Sequence, residues 1–230
     1  MSDDLYLYPG TQTLKNKLDI RDPSQLEKIE RQLVTQRIRQ GVPQGQFDLA
    51  HLQSIHRHLF QDVYSWAGEL RQVEIAKGGH QFQFRQYIAT GMADVHGRLV
   101  KQDYLRGLNK ADFAREAGAI MGDVNYVHPF REGNGRTQLQ YLKQLGQQAG
   151  YNVDLTRLDP KGWIEASRRA HAADYAPMSR AIEEAIVERG HERQGERESS
   201  LDRARIRAAA CKEQARHRGR SKDRGDERER

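Results

Sequence analysis

The sequence predicts a mainly α-helical fold that carries one small β-hairpin. Apolar residues recur at helical spacing in six segments of the first 190 positions, which is the pattern of amphipathic helices. Apolar and polar residues alternate in only one segment, from Arg71 to Phe84. The hydrophobic fraction of 37% over 230 residues is enough for one domain with a substantial core.

Capping residues predict where the first two helices begin. Asp22 followed by Pro23 forms an N-cap and first-turn pair, and Asp48 stands in the same position before a second segment. The apolar stripes expected on these helices are Leu26, Ile29, Leu33 and Ile38 on the first, and Leu49, Leu52, Ile55, Leu59 and Phe60 on the second.

Four further helices are expected in the second half of the chain. One carries Phe113, Ala117, Ile120, Met121 and Val124 and ends before His128, because a residue that precedes proline disfavours the helical conformation. The next runs from Arg136 to Ala149 and stops at Gly150. Two more are indicated by Trp163, Ile164 and Ala170, and by Ile182, Ile186 and Val187.

The alternating segment predicts a hairpin. Val73 and Ile75 alternate with polar residues before a turn at Lys77-Gly78-Gly79, and Phe82 and Phe84 do so after it. Adjacent glycines between two alternating stretches are typical of a tight hairpin turn.

Composition divides the chain into a domain, residues 1–189, and a charged tail, residues 190–230. The tail holds 13 basic and 9 acidic residues, so +4 of the net charge of +6 lies there. With almost no large apolar residues it is expected to stay disordered. A solvated mixed-charge tail is the favoured interpretation, and an arm that contacts nucleic acid or a partner protein remains open.

Several classes of protein do not fit the composition. No apolar run approaches the roughly 18 residues that a membrane span requires, and the N-terminus lacks a basic-then-apolar signal pattern. The single cysteine, Cys211, rules out an intramolecular disulfide framework. We therefore expect a cytoplasmic protein without membrane contact.

The chemistry is concentrated in nine residues, His128-Pro-Phe-Arg-Glu-Gly-Asn-Gly-Arg136. The Gly133–Gly135 turn can present its backbone N–H groups to an anion, and a helix N-terminus directly follows it. Arg136 supplies a planar cation that matches phosphate, and Glu132 supplies a carboxylate suited to Mg²⁺. His128 is suited to accept a hydroxyl proton near neutral pH. Each feature alone is ordinary, but together they favour phosphoryl-type transfer.

This segment resembles the signature of Fic domains, His-x-Phe-x-(Asp/Glu)-Gly-Asn-Gly-Arg-x-x-Arg. The resemblance extends over about residues 5–189, since Tyr8-Pro-Gly-Thr11 and Phe60–Arg71 are similar to the start and the pre-hairpin segment of bacterial Fic toxins of toxin–antitoxin modules. It implies a Fic-type helical bundle in which the hairpin is a flap beside the active-site loop.

The resemblance also implies a reaction, the transfer of AMP from ATP to a Ser, Thr or Tyr hydroxyl of a target protein. His128 would be the general base, Glu132 would hold Mg²⁺, and Phe130 would anchor the loop. Gly133, Asn134, Gly135 and Arg136 would bind the phosphates, and the flap residues Ile75, Ala76, Lys77, Gly78 and Gly79 would dock the target. Toxin-type relatives suggest DNA gyrase or topoisomerase IV subunits as targets and a separate antitoxin as inhibitor.

One motif position departs from the family pattern, because Leu139 stands where the second arginine is expected. Leu139 also fits the apolar stripe of its helix. Three functions therefore remain open: an adenylyltransferase, an enzyme that transfers another phosphate-containing group, and a catalytically weak or inactive binding module. Gly135 disfavours the transfer of another phosphate-containing group, because the Fic relatives that act as kinases carry lysine at that position. An inhibitory helix of the family kind is not complete here, although Ser179 to Glu184 comes near it.

Overall fold

The computed structural model describes residues 5–187 and confirms the mainly α-helical fold. The predicted tail, residues 190–230, lies outside the described residues. The helices in the described part are α1 (Pro23–Arg39), α2 (Leu49–Phe60), α3 (Ile88–Lys101), α4 (Lys110–Val127), α5 (Asn134–Ala149), α6 (Pro160–Ala170) and α7 (Ala176–Ala185). The strands are β1 (Ala76–Lys77), β2 (His80–Gln81), β3 (Asn152–Val153) and β4 (Ile186–Val187).

The predicted caps form the hydrogen bonds expected of them. The Asp22 carboxylate accepts from the Gln25 N–H at 2.7 Å, and the Asp48 carboxylate accepts from the His51 N–H at 2.8 Å. Each such cap contributes about 1 kcal/mol, because it satisfies a helix N–H that would otherwise lack a partner. Gly150 ends α5 with a φ of +92°, in the left-handed region that favours glycine.

Helix α4 lies at the centre of the fold and packs against α3, α5, α6 and α7. Its buried face includes Phe113, Ala117, Ile120, Met121 and Val124, the residues of the predicted stripe. Helix α2 packs against α1, α3 and α5. The end of α4 and the start of α5 are therefore held between packed helices, and the loop that joins them is set on a rigid base.

Two predictions of secondary structure need correction. Ile186 and Val187 do not continue a helix but form β4, which pairs antiparallel with β3. Consecutive β-branched residues favour a strand, and their apolar spacing alone did not reveal this. Helix α3 was not predicted, although Ile88, Met92, Val95 and Leu99 form its buried stripe.

The hairpin is present but short. Ala76 pairs with Gln81 and Lys77 with His80 around the glycine turn, and one further backbone hydrogen bond joins the Phe82 N–H to the Ile75 carbonyl at 3.2 Å. No helix in the part of the chain described by the structure combines the length and apolarity needed to cross a membrane.

Candidate active site

The loop from His128 to Gly133 joins α4 to α5 and is closed by the side chain of Asn134. Its carboxamide oxygen accepts from the Phe130 N–H at 3.0 Å, and its amide group donates to the Phe130 carbonyl at 2.7 Å. Both polar ends of the buried Asn134 side chain are therefore used inside the loop. Because the residue is also buried, its backbone N–H is the group through which Asn134 would contact an anion.

The two glycines of the motif face different surroundings. Gly133 has a φ of +81°, and a Cβ atom built there would lie 2.4 Å from the Phe60 ring. A Cβ at Gly135 would meet nothing within 4 Å. Helix α5 starts without a side-chain cap. The N–H groups of its first turn therefore have no capping side chain as a partner, and they can bind an anion in this open space.

The loop is anchored on the buried side chain of His56. The Phe130 ring is fully buried and stacks on the His56 ring, with 3.9 Å between their centroids. The Gly68 N–H donates to His56 Nδ1 at 2.8 Å, so Nε2 carries the proton and donates to the Glu132 carbonyl at 3.0 Å. Burial lowers the pKa of His56 to about 4, so the ring is neutral at pH 7. No role for His56 was predicted from the sequence.

The imidazole of His128 is oriented for proton acceptance. His128 has a left-handed backbone (φ 45°), and its Nδ1 lies 3.1 Å from the Asn125 carbonyl oxygen. A carbonyl can only accept, so Nδ1 carries the proton and Nε2 keeps a free lone pair. Burial lowers the pKa of His128 to about 3, and the charges of Arg71 and Lys77 act in the same direction. The ring is therefore neutral across the physiological range.

The side chain of Arg71 ties the base of the hairpin to the loop. It is fully buried and donates to the carbonyls of His128 and Val73, each at 2.9 Å, and to the carbonyl of Gln83. Glu74 pairs with the same guanidinium at 3.2 Å. One cation therefore fixes the position of the hairpin relative to the backbone of His128.

Glu132 and Arg136 contact each other where the loop meets α5, and Glu30 of α1 joins them. The Glu132 carboxylate accepts from the Gly133 N–H at 2.9 Å, and its side chain is 46% exposed. The Arg136 guanidinium lies 3.4 Å from Glu132 and 2.5 Å from Glu30 of α1. Leu139, one turn further along α5, packs against the hydrophobic core, so this position supplies an apolar contact instead of a cation.

A cavity of about 160 Å³ lies beside the loop and is framed by the hairpin and by parts of α4, α5 and α6. Its lining includes Gly135 and Gln138 of α5, the hairpin from Lys77 to Phe82, and residues of α6 with Trp163 and Ile164. Most of the lining surface is apolar, and the charged or titratable side chains on it are Lys77, His80, Arg168 and His171. No carboxylate is among the described lining residues, so the cavity suits a ligand that has both an apolar part and a negative charge.

The flap residues of the sequence prediction are at the surface. Ala76, Lys77, Gly78 and Gly79 are exposed, and Ile75 is half-buried. Three exposed aromatic residues surround the base of the hairpin: Phe84, Tyr87 and Tyr126. The Gln83 N–H donates to the Tyr126 carbonyl at 3.0 Å. This bond joins the base of the hairpin to the end of α4, two residues before His128.

The segment that resembles an inhibitory helix lies in α7, away from the loop. Ser179 Oγ donates to the Arg115 carbonyl at 3.3 Å, near the start of α4. Thirteen residues separate Arg115 from His128, which corresponds to about 20 Å along a helix. The segment from Ser179 to Glu184 therefore lies near the start of α4, where Ser179 contacts Arg115 and Ile182 is buried.

Comparison of the whole sequence with known proteins identifies its relatives. Residues 46–145 match the model of the Fic/DOC family. A probable protein adenylyltransferase, y4lH of Sinorhizobium fredii, is 39% identical over 185 residues, which is 80% of this chain and 96% of that protein. The protein adenylyltransferase VbhT of Bartonella schoenbuchensis is 36% identical, and the match covers 81% of this chain but 40% of VbhT.

Solved structures show the same similarity. The BepC protein of Bartonella tribocorum, with bound AMPPNP, has a TM-score of 0.72 and 29% identity, covering 79% of this chain and 96% of that one. An N-terminal Fic domain from Bartonella quintana, with bound ADP, has a TM-score of 0.73 and 28% identity, covering 80% and 95%.

Proposed function

Because the chain belongs to the Fic/DOC family, we propose that it is a protein adenylyltransferase, which transfers AMP from ATP to a serine, threonine or tyrosine hydroxyl of another protein. The observation that carries this proposal is the juxtaposition of His128 and α5. A neutral imidazole with a free Nε2 lies at one end of the loop, and an uncapped helix N-terminus with open space at Gly135 lies at the other. Relatives named as adenylyltransferases and Fic structures with bound AMPPNP or ADP support the choice of nucleotide.

His128 would act as the general base. Its Nε2 takes the proton of the target hydroxyl while the hydroxyl oxygen forms a bond to the α-phosphorus of ATP. The bond from that phosphorus to the bridging oxygen breaks, and pyrophosphate leaves with the electron pair. The backbone N–H groups of Gly133, Asn134 and Gly135, together with Arg136, would stabilise the phosphate charge.

The cavity beside Gly135 would receive the nucleoside. Its apolar wall includes Trp163 and Ile164, which can cover a base, and Lys77 and Arg168 in its lining supply positive charge that favours an anionic ligand. The absence of carboxylates from the described lining avoids repulsion of the ligand. The cavity and the helix N-terminus meet at Gly135, so one ligand would occupy both.

Glu132 fits Mg²⁺ in the way that this ion is usually held. Its carboxylate is half-exposed beside the phosphate-binding turn, and no cluster of three or more ligating side chains exists within residues 5–187. Mg²⁺ is commonly bound by one or two carboxylates together with substrate phosphates and water. When bound, the ion would neutralise charge on the phosphates, and Glu132 would hold it next to the loop.

The flap from Ile75 to Gly79 would dock the target by adding a strand to the exposed hairpin edge. The aromatic residues Phe84, Tyr87 and Tyr126 would extend this surface beside His128. The first targets to test are DNA gyrase and topoisomerase IV subunits, in keeping with a toxin role, and a separate antitoxin would supply inhibition in the cytoplasm.

A second function is favoured by one observation, the apolar Leu139 at the second arginine position. Without that cation the chain would hold the terminal phosphate of ATP more weakly and could serve as a binding module with little or no transfer activity.

Radiolabelled ATP and His128→Ala separate these functions. Label from the α-phosphate on a protein supports adenylyl transfer, whereas label only from the γ-phosphate indicates phosphate transfer. His128→Ala should abolish labelling and leave nucleotide affinity nearly unchanged, because the imidazole acts on the hydroxyl. Absence of label with the wild-type protein and purified gyrase or topoisomerase IV subunits, despite ATP binding, would favour the binding module. Labelling that persists in His128→Ala would remove His128 from its role.

A further inference from the structure

Glu30 is a buried carboxylate that the sequence did not single out. It lies on α1, and its side chain is only 7% exposed. Its two oxygens have different partners, since the Tyr64 hydroxyl donates to one and the Arg136 guanidinium donates to the other at 2.5 Å. A buried carboxylate needs such partners, because an unpaired charge away from water is very unfavourable.

The guanidinium of Arg136 is fixed by more than this ion pair. It lies over the Phe60 ring, with its central carbon 4.7 Å from the ring centroid. Its second contact with a carboxylate, to Glu132, is 3.4 Å long and therefore weaker than the contact with Glu30. The side chain remains 34% exposed, and a guanidinium has five N–H donors, so donors are left for a ligand.

We propose that Glu30, held by Tyr64, is a positioning residue for the phosphate-binding Arg136. Its first role is to fix the orientation of the guanidinium fork before the nucleotide arrives. Its second role is to keep Arg136 from turning fully onto Glu132, which leaves the Glu132 carboxylate available for Mg²⁺. This inference rests on the proposed use of Arg136 and Glu132 in nucleotide binding.

Glu30 and Glu132 both attract the Arg136 guanidinium, and removal of the Glu30 charge leaves only Glu132 to do so. The Glu132 carboxylate lies in the loop just before α5, and the Arg136 guanidinium is already 3.4 Å from it. In Glu30→Gln the guanidinium would move toward Glu132 and neutralise it. ATP with Mg²⁺ should then bind about tenfold more weakly, the loss that corresponds to one charge-assisted hydrogen bond.

Calorimetric titration of a non-hydrolysable ATP analogue tests this, with Mg²⁺ varied at fixed analogue. Glu30→Gln should raise the Kd about tenfold and should raise the Mg²⁺ concentration at half-maximal binding. Tyr64→Phe should shift both in the same direction by less, because Glu30 keeps its pair with Arg136. This second variant preserves the test if Glu30→Gln does not fold.

Two control variants separate positioning from the general docking of α1. Asp62→Asn removes a carboxylate that binds Arg37 of α1 at 2.5 and 2.6 Å, without touching Arg136. Glu27→Gln removes an exposed carboxylate one turn before Glu30. Glu27 pairs with Arg31 and not with Arg136. Both controls should keep the wild-type Kd and the wild-type Mg²⁺ requirement.

An unchanged or lower Kd in both Glu30→Gln and Tyr64→Phe would overturn the inference, and a lower value would mean that Glu30 competes with phosphate for Arg136. An equal loss of affinity in Asp62→Asn would also overturn it, since the effect would then come from α1 as a whole. Failure of the wild-type protein to bind the analogue would instead count against the proposed function.

Discussion

The ring of Phe82 lies on the imidazole of His128, with 3.7 Å between the two ring centroids and 20° between their planes. Phe82 belongs to the hairpin, and His128 ends α4, so this contact closes the candidate active site from the hairpin side. The stack removes water from one face of the imidazole. Together with the Asn125 carbonyl on Nδ1, it leaves Nε2 as the nitrogen that can accept a proton.

We expect Phe82→Leu to introduce an acidic limb into the pH profile of transfer. As the proposed general base, His128 would accept a proton only when it is neutral. Because burial lowers its pKa to about 3, wild-type activity should not depend on its titration between pH 5 and pH 8. Loss of the stacked ring hydrates the imidazole and raises its pKa toward the ordinary value near 6.5. Activity of the variant should then fall as the pH drops through about 6.5, measured as kcat/KM against pH.

Phe84→Leu is the matched control, because Phe84 is on the same segment but is 55% exposed. The shape of its pH profile, and not the absolute value of kcat/KM, should follow the wild type. Identical profiles for Phe82→Leu and the wild type would show that the stack does not govern the protonation of His128.

Stability should depend on pH through His56. In the unfolded chain this histidine takes up a proton near pH 6.5, whereas burial in the folded protein lowers its pKa to about 4. Between these values only the unfolded state binds the proton, so stability is retained above pH 6.5 and lost as the pH falls toward 4. The lowered pKa values of His51, His128 and His171 act in the same direction.

The variant His56→Gln should therefore lose less stability on acidification than the wild type. Each pH unit in this window is worth about 1.4 kcal/mol per histidine, so the difference between pH 6.5 and pH 5 should be about 2 kcal/mol. Urea unfolding at both pH values measures it. Parallel losses in the two proteins would mean that His56 does not control this part of the stability curve.

The parts of the fold that the sequence predicted are those with local signals. Asp22 and Asp48 cap their own helices through side-chain contacts three residues along the chain, so their role is visible without the fold. Helix α3 lacks such a signal, because its N-cap, Tyr87, forms no side-chain cap and Gly91 and Gly97 weaken its helical propensity.

The candidate site was predictable to the extent that it is contiguous. Residues 128–136 lie in one stretch of sequence, so phosphoryl-type transfer could be inferred from their types and order, and the resemblance to Fic domains implied the particular reaction. The residues that orient them are distant in sequence. Glu30 is 106 residues from Arg136, and Arg71 is 57 residues from His128. Glu30 follows Leu26 by one turn and is buried beside it, whereas the expected apolar stripe contained Ile29. Only packing shows that a carboxylate occupies that face.

Substitution of the two motif glycines should have opposite effects on stability. Gly133→Ala places a methyl group 2.4 Å from the Phe60 ring at a positive φ, so it should cost at least about 2 kcal/mol in urea unfolding. Gly135→Ala lies in open space in the first turn of α5 and should leave stability unchanged or slightly higher. Its methyl group should instead weaken nucleotide binding, because it stands where a phosphate would approach the N–H groups. Equal stability of the two variants would contradict the geometry of the turn.

Leu139→Arg tests whether the missing cation limits nucleotide binding. Leu139 is half-buried on α5, one turn after Arg136, so an arginine there would place its guanidinium near the same ligand. One added charge-assisted hydrogen bond is worth about 1.5 to 3 kcal/mol, which predicts a Kd for ATP at least about tenfold lower. Leu139→Met keeps the apolar contact and should retain the wild-type Kd in the same calorimetric titration. If Leu139→Arg folds and binds ATP no more tightly than Leu139→Met, the loss of the second arginine is not what sets nucleotide affinity in this chain.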